Sequence, residues 1–185
     1  MKKIILLMVL AITCSVSSAQ EEVNSSKSKT VELLEKDGIL LQKDFFDIGR
    51  VGGVSFQTVI ITNLSSSEKT GALRVITEYS SSSYIGTLDF DELSGCISSM
   101  EYINANVIVN TYDNYMECEY KTRDGVEFGV YSKVNPVAKK ERIWTFYLRT
   151  RNYTDRSFVS MKIDKLNDII ECLKKAQSNL SEHLK

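Results

Sequence analysis

Residues 89–92, with the sequence DFDE, place three carboxylates within one short stretch of the chain. Carboxylates this close can bind calcium, or can act as the acid and base of a hydrolase. The same residues can instead begin a helix, because acidic side chains accept hydrogen bonds from the free N–H groups of its first turn. A similar stretch later in the chain keeps Asp164 but has lysines around it, so capping alone explains the shared aspartate. We therefore predict that Asp91 and Asp164 cap two helices and that no metal is bound.

Histidine-dependent catalysis is disfavoured because the chain has one histidine, His183, in its final SEHLK stretch. Serine and cysteine nucleophiles usually need a histidine as base, and otherwise a lysine. No GxSxG, HExxH, P-loop or GxGxxG pattern occurs. The sequence therefore predicts a non-catalytic protein without a cofactor. Hydrolysis by carboxylates alone, through Asp89 and Glu92, is the enzymatic alternative.

Basic and aromatic residues are interleaved in the second half of the sequence. From position 113 onward there are 14 basic and 11 acidic residues, against 5 and 11 in positions 30–112. Cations beside stackable rings are typical of grooves that bind single-stranded nucleic acid. Charges that keep sheet edges from pairing explain the same residues, and the slightly acidic chain also counts against nucleic acid. The candidate binding residues are Lys139, Lys140, Arg142, Arg149, Arg151, Arg156 and Tyr147.

Four cysteines are present, and Cys14 lies in the predicted signal peptide described below. The other three cannot all pair within one chain, and the absence of CxxC disfavours simple redox and zinc sites. Cys96 and Cys118 fall at predicted core positions, whereas Cys172 lies beside an apolar stripe and is expected to be more exposed. A bridge from Cys172 to either of the others stays open.

The first residues have the pattern of a bacterial signal peptide. Two lysines precede the apolar stretch 4–16, and small residues follow as far as Ala19. This stretch is shorter than the roughly 20 residues of a membrane-spanning helix. We predict cleavage after Ala19, followed by a disordered leader over residues 20–30. Acylation at Cys14 is the alternative, although the residues before it depart from the usual lipoprotein pattern.

Eight segments after the leader have strand composition and turn-like boundaries. Gly52-Gly53 and Asp124-Gly125 supply two of the turns. The predicted strands cover residues 38–51, 54–64, 72–79, 83–88, 115–122, 126–134, 142–150 and 158–163. About 155 residues remain after the leader, which is enough for one globular domain.

Two amphipathic helices follow the fourth and eighth strands, and their apolar stripes correspond. Adding 73 to each position of the first stripe gives the second. Two aromatic residues in the preceding hairpin, Tyr79 and Tyr84, correspond to Tyr153 and Phe158 with an offset of 74. We infer an internal duplication of a ββββα unit, over about 31–112 and 113–185. The stripes are Leu93, Cys96, Ile97, Met100 and Ile103, and Leu166, Ile169, Ile170, Leu173 and Ala176.

This order of elements resembles the Whirly and Pur-alpha families, in which curved antiparallel sheets are backed by helices. The resemblance covers nearly the whole mature chain, but only as element order. It implies an α+β fold of two ββββα units, with each sheet covered by one helix. Because no family sequence signature accompanies it, no functional residue carries over.

Together these patterns predict an exported bacterial protein of the cell envelope, periplasmic or secreted, without a membrane-spanning segment after signal removal. Its expected role is a non-catalytic binding or interaction module. The expected partner is an envelope protein or a small ligand, with single-stranded nucleic acid as the less favoured alternative. The opposite charge of the two halves is also compatible with a homo-oligomer.

Overall fold

The computed structural model describes residues 27–110, 112–134, 142–151 and 154–185. Within these ranges, two four-stranded antiparallel sheets keep the strand order of the sequence. The first sheet consists of β1 (Leu41–Val51), β2 (Val54–Asn63), β3 (Lys69–Tyr79) and β4 (Ser82–Asp89). The second consists of β5 (Met116–Lys121), β6 (Glu127–Val134), β7 (Arg142–Arg149) and β8 (Phe158–Lys162). The helices are α1 (Lys29–Leu34), α2 (Phe90–Tyr102) and α3 (Leu166–His183).

The predicted fold class is confirmed, since each sheet is followed by one long helix and the order ββββα occurs twice. A π-helical turn over Ile103–Val107 extends α2, and a 3₁₀ turn over Ile163–Lys165 precedes α3. All ten residues of the two predicted apolar stripes are buried. Burial of one stripe per helix is what the 3.6-residue period of those positions requires.

The two long helices pack across the units. The helix of the second unit, α3, contacts β1, β2 and β3 of the first sheet. The helix of the first unit, α2, contacts α3 and strands of both sheets. As a result, one hydrophobic core is built from both units, and it includes Leu93 from α2, Leu166 from α3, Phe56 from β2 and Phe146 from β7.

Equivalent residues of the two units meet at their junction. Thr77 on β3 and Thr150, just after β7, are 73 positions apart, the same offset as the helical stripes. The strand registers also give 73, and not the 74 predicted for the β3–β4 hairpin, because Ala72 pairs with Asp89 and Thr145 with Lys162. The hydroxyl oxygens of Thr77 and Thr150 lie 3.0 Å apart in a buried hydrogen bond. The Thr150 hydroxyl also donates to the carbonyl oxygen of Tyr84, at 3.3 Å. Contact between equivalent residues is what an approximate two-fold relation between repeats produces.

Gly86 on β4 allows the units to approach closely at this junction. A Cβ at this position would lie 2.4 Å from Val126 Cγ2 and 2.5 Å from the carbonyl oxygen of Thr150. We expect Gly86→Ala to lower the free energy of unfolding by about 1–3 kcal/mol, because the Thr150 backbone would have to move. Urea unfolding measures this difference.

Gly95→Ala on α2 is the matched control. A Cβ there would meet only the end of the Tyr120 side chain, at 3.3 Å. Alanine also favours a helix by up to about 1 kcal/mol relative to glycine, so no loss of stability is expected. A Gly86→Ala protein as stable as Gly95→Ala would contradict the close approach of the units.

The predicted disordered leader, residues 20–30, extends too far toward the C-terminus, because residues 28–30 are ordered. Ser28 and Thr30 are buried, and Lys29 begins α1. The Ser28 hydroxyl caps this helix by accepting from the N–H of Val31, at 3.2 Å. Ordering of these residues follows from their contacts with the first sheet, described below. The predicted signal peptide and residues 20–26 lie outside the described residues.

A small second core lies under α1, on the face of the first sheet that points away from the main core. It joins Leu33 of α1 to Val59 and Ile61 of β2 and Ala72 of β3. Burial on both faces explains why β2 carries three consecutive apolar residues, Val59, Ile60 and Ile61. Among the described helices, none combines the length and apolar character needed to span a membrane.

Candidate functional site

The acidic run begins a helix, as predicted, but the capping residue is Asp89 and not Asp91. Asp89 is the residue before α2, and Glu92 reaches back to accept from its N–H at 3.0 Å. Asp164 lies inside the 3₁₀ turn before α3, so it caps no helix. The position equivalent to Asp89, 73 residues on, is Lys162. The prediction was wrong because it relied on the aspartate that the two stretches share, Asp91 and Asp164. In the structure, the N-cap of α2 is the last residue of β4, Asp89.

Asp89 also anchors α1. Its carboxylate is almost fully buried and accepts from the Ser28 hydroxyl at 2.9 Å. It further accepts from the backbone N–H groups of Lys29, at 2.7 Å, and Thr30, at 3.2 Å. Arg123, in the turn between β5 and β6, donates to the same carboxylate at 3.0 Å. Four donors therefore surround one buried carboxylate.

Arg123 joins the three acids into one group, the Asp89 cluster, which consists of Asp89, Asp91, Glu92 and Arg123. Its guanidinium also pairs with Asp91, and its backbone N–H donates to Glu92 at 2.8 Å. Burial opposes ionisation of Asp91, but hydrogen bonds from Lys29 and Arg123 outweigh it and lower the pKa of that carboxyl. Burial likewise opposes the charge of Arg123, yet the three carboxylates raise its pKa. These contacts give all three acids a role in holding α1, α2 and the β5–β6 turn together.

Among the described residues, the predicted basic side chains have different neighbours. Arg149 pairs with the buried carboxylate of Glu127 at 2.7 Å. Arg142 donates to Ser132 at 3.3 Å, at the other end of β7. Arg156 lies over the ring of Tyr79, on the first sheet, at 5.9 Å. Arg151 follows β7 and lines the cavity described below. Lys139 and Lys140 lie outside the described residues, as does Tyr153 of the predicted duplication.

Tyr147 is a buried structural residue. It is 1% exposed, its ring covers Gly129, and its hydroxyl donates to Glu119 at 2.8 Å. Burial, followed by hydrogen bonding to the glutamates, raises the pKa of this hydroxyl well above its ordinary value. Tyr147 belongs to an aromatic row on the outer face of the second sheet. The row is Tyr115, Tyr131, Tyr147 and Phe158, with successive ring centroids 6.5, 6.0 and 5.4 Å apart.

The three described cysteines and His183 pack against other side chains or the backbone. Cys96, Cys118 and Cys172 are free thiols, and Cys172 is buried, contrary to its predicted exposure. It is buried because α3 packs on the first sheet, which places Cys172 beside Gly49. His183 lies against the ring of Phe46, 4.3 Å between centroids. Over the described ranges, no group of three or more His, Cys, Asp or Glu side chains could hold a metal ion.

A cavity of about 260 Å³, here called the outer cavity, lies on the outer face of the first sheet beside α1. Its apolar surface comes from Phe45 of β1, Val59 and Ile61 of β2, Ile85 of β4 and Leu34 of α1. These strand residues share one face because Phe45 pairs with Val59 across β1 and β2. Phe45 is 48% exposed, which is high for an aromatic ring beside a buried floor.

Three cations line the same cavity: Lys43, Arg74 and Arg151. Among the described residues, none of them forms an ion pair with a carboxylate. Arg74 donates to the amide oxygen of Gln57 and lies 4.9 Å from the centroid of the Phe45 ring. Burial lowers the pKa of Arg74. A partly buried guanidinium without a counter-ion is unusual in a folded protein.

Thr30 closes the cavity at the α1 end. This residue lines the cavity and is fully buried, but its hydroxyl has no hydrogen-bond partner in the part of the chain that the structure describes. A buried hydroxyl without a partner is destabilising by about 1–3 kcal/mol. A second hollow, of about 480 Å³, shares Ile85 and Arg151 with the outer cavity and extends it toward Asp124.

Sequence reasoning found Arg151 but missed Lys43, Phe45 and Arg74. The prediction followed the density of basic residues, which favours the second half, whereas these three residues come from the acidic first half. One signal was available in the sequence. β2 carries apolar residues on both faces, which implies that something covers its outer face.

Comparison of the sequence with models of known protein families gives no match. Comparison with curated proteins gives no similar sequence either. The function must therefore be inferred from the geometry of the described residues.

Proposed function

We propose that this protein is an exported, non-catalytic binding module of the bacterial cell envelope, and that it binds a small molecule in the outer cavity. The observation that carries this proposal is a set of three cations around an apolar floor, none of which pairs with a carboxylate of the described residues. Small-molecule sites combine an apolar lining with a few polar groups that orient the ligand. Export is proposed from the signal-like pattern of residues 1–19.

A non-catalytic role is supported by the Asp89 cluster. The carboxylate-only alternative needs two acids that face a substrate. Here Asp89 accepts from backbone N–H groups and Arg123, and both oxygens of Glu92 accept from the backbone. Acids bound in this way are poorly placed to transfer protons to a ligand.

Native mass spectrometry of the protein purified from its own envelope fraction tests the proposal. We expect a small molecule to remain bound to the wild type and to be lost from Ile85→Trp, because the indole would fill the cavity. Ile76→Trp is the matched control. Ile76 pairs with Ile85 across β3 and β4 and is also partly exposed, but it does not line the cavity.

The outcomes separate the alternatives. Retention of the small molecule by Ile76→Trp and its loss from Ile85→Trp would support the outer cavity as the site. A wild-type protein that carries only another protein subunit, or no added mass at all, would contradict the proposal.

Single-stranded nucleic acid is the second candidate, and the aromatic row on the second sheet favours it. Lys133 lies 5.9 Å from the centroid of the Tyr131 ring, as expected where cations and rings bind bases. The resemblance in element order to the Whirly and Pur-alpha families is compatible with this candidate. It ranks second because Glu117 and Glu119 share the face of the row, and Arg149 is neutralised by Glu127. An oligonucleotide mass in the native spectrum would favour it.

A further inference from the structure

We infer that the ligand of the outer cavity is a small organic carboxylate with an apolar tail, whose carboxylate pairs with the guanidinium of Arg74. This inference rests on the proposed function and specifies the chemical class of the ligand. The donors available at Arg74, the apolar floor and the size of the cavity each point to this class of ligand.

Arg74 has the donors that a carboxylate needs. A guanidinium offers five N–H donors in a planar fork that matches the two oxygens of a carboxylate. In the described residues, Arg74 makes one side-chain hydrogen bond, to the amide oxygen of Gln57. Asp47 does not reach Arg74 directly, since Gln57 lies between them and donates to Asp47 at 2.9 Å. Most of the fork is therefore available to an anion.

The surroundings of Arg74 strengthen this attraction. Lys43 and Arg151 line the same cavity and add positive charge without a described counter-ion. The Phe45 ring, on which Arg74 lies, excludes water from one side of the guanidinium. Charge-assisted hydrogen bonds are stronger where water is excluded.

The floor of the cavity requires an apolar tail. Val59 and Ile61 are 3% and 1% exposed, and Phe45 and Leu34 form the more open apolar edge. An anion without an apolar tail, such as acetate or phosphate, would leave the exposed parts of Phe45 and Leu34 in contact with water. Phosphate sites also use backbone N–H groups at helix starts or glycine-rich loops. At the start of α1 the N–H groups of Lys29 and Thr30 already donate to Asp89, and no described glycine lines this cavity.

The size of the cavity limits the tail. A volume of about 260 Å³ lies just below the range of about 300–1,000 Å³ for drug-sized ligands. It corresponds to about nine liquid-water volumes. A short acyl chain or a single aromatic ring on a carboxylate fits this space, so octanoate and 3-phenylpropanoate are the appropriate probes.

Titration calorimetry on the mature protein tests the assignment. We expect octanoate or 3-phenylpropanoate to bind, and octan-1-ol and acetate to bind at least tenfold more weakly, because each lacks one of the two required parts. Arg74→Gln should weaken carboxylate binding at least tenfold, the loss expected for a charge-assisted pair. Lys43→Gln, at an exposed site where folding is not at risk, should weaken it severalfold.

Arg50→Gln is the matched control, because Arg50 is exposed on the same sheet and pairs with Glu78 away from the cavity. It should bind the carboxylates as the wild type does. Equal binding of octan-1-ol and octanoate, or unchanged binding by both Arg74→Gln and Lys43→Gln, would overturn the carboxylate assignment.

Failure of this inference is distinguishable from failure of the proposed function. If no carboxylate binds, but Ile85→Trp displaces a copurified molecule of another class, the outer cavity remains the site and the ligand class is wrong. If no carboxylate binds and no small molecule copurifies with the wild type, both are wrong.

Discussion

Replacing Asp89 by asparagine should lower the free energy of unfolding by about 3–5 kcal/mol, the range seen when one partner of a buried ion pair is removed. The side chain of Asp89 is 2% exposed and that of Arg123 is 20% exposed, so water cannot replace the lost charge. The asparagine NH₂ group would also face donors, because both carboxylate oxygens now accept hydrogen bonds from Ser28, Thr30, Lys29 or Arg123. Urea unfolding followed by circular dichroism measures the difference.

Asp91→Asn is the control for this prediction. Asp91 pairs with the same arginine and with Lys29, but its side chain is 46% exposed. Ion pairs at such sites contribute only about 0–1 kcal/mol, so the variant should remain close to the wild type. Equal losses in the two variants would show that Asp89 is not the anchor of the cluster.

The Asp89 variant also bears on the site, because α1 depends on this carboxylate. Release of α1 would remove Thr30 and Leu34 from the outer cavity. We therefore expect ligand binding to weaken along with stability. A hydrolytic activity abolished by Asp89→Asn without a loss of stability would instead revive the carboxylate-only enzyme.

Replacing the first buried leucine of either long helix by alanine should lower the free energy of unfolding nearly as much as Asp89→Asn. Leu93→Ala on α2 and Leu166→Ala on α3 are each expected to lower the free energy of unfolding by about 2–5 kcal/mol. Both leucines are 0% exposed, and both belong to the one core that the two units share. The cavity left in each case would have limited room to collapse, because strands of both sheets line the core.

The shared core makes a further expectation measurable in the same experiment. Each variant should unfold in a single transition, because α3 joins the second unit to β1, β2 and β3 of the first. Leu64→Ala, at a site that is 51% exposed, serves as the control and should change stability little. Two separate transitions, or a negligible effect at either buried leucine, would contradict a core built from both units.

The elements themselves were predictable because they depend on local patterns. Each of the eight predicted strands overlaps an observed strand, since β-branched and aromatic residues between turn residues favour extended backbone whatever lies beside them. The two helical stripes were also predicted correctly, because apolar residues that recur every 3.6 positions indicate a helix buried along one face. The offset of 73 between the stripes reappears in the structure, where Thr77 meets Thr150.

The capping residue and α1 were less accessible to local reasoning. Asp89 and Asp91 are equally good caps by composition, and the choice depends on where β4 ends against β3. The order of residues 28–30 depends on Asp89, which lies about 60 positions further along the chain. The pairing of β4 with β3 and the contact of residues 28–30 with Asp89 both join distant residues, so neither produces a periodic pattern in a short stretch of sequence.

Local sequence thus accounts for the strands, the helices and their duplication, because backbone preference and side-chain period act over a few neighbouring residues. The outer cavity arises from packing between distant parts of the chain. Pairing of β1, β2 and β3 brings Lys43 and Arg74 to one face of the first sheet. The junction of the two units, where Thr150 contacts Thr77, places Arg151 beside them. Coulomb forces and burial depend on distances in space, so whether a cation is paired or free is settled by the fold and not by its neighbours in sequence.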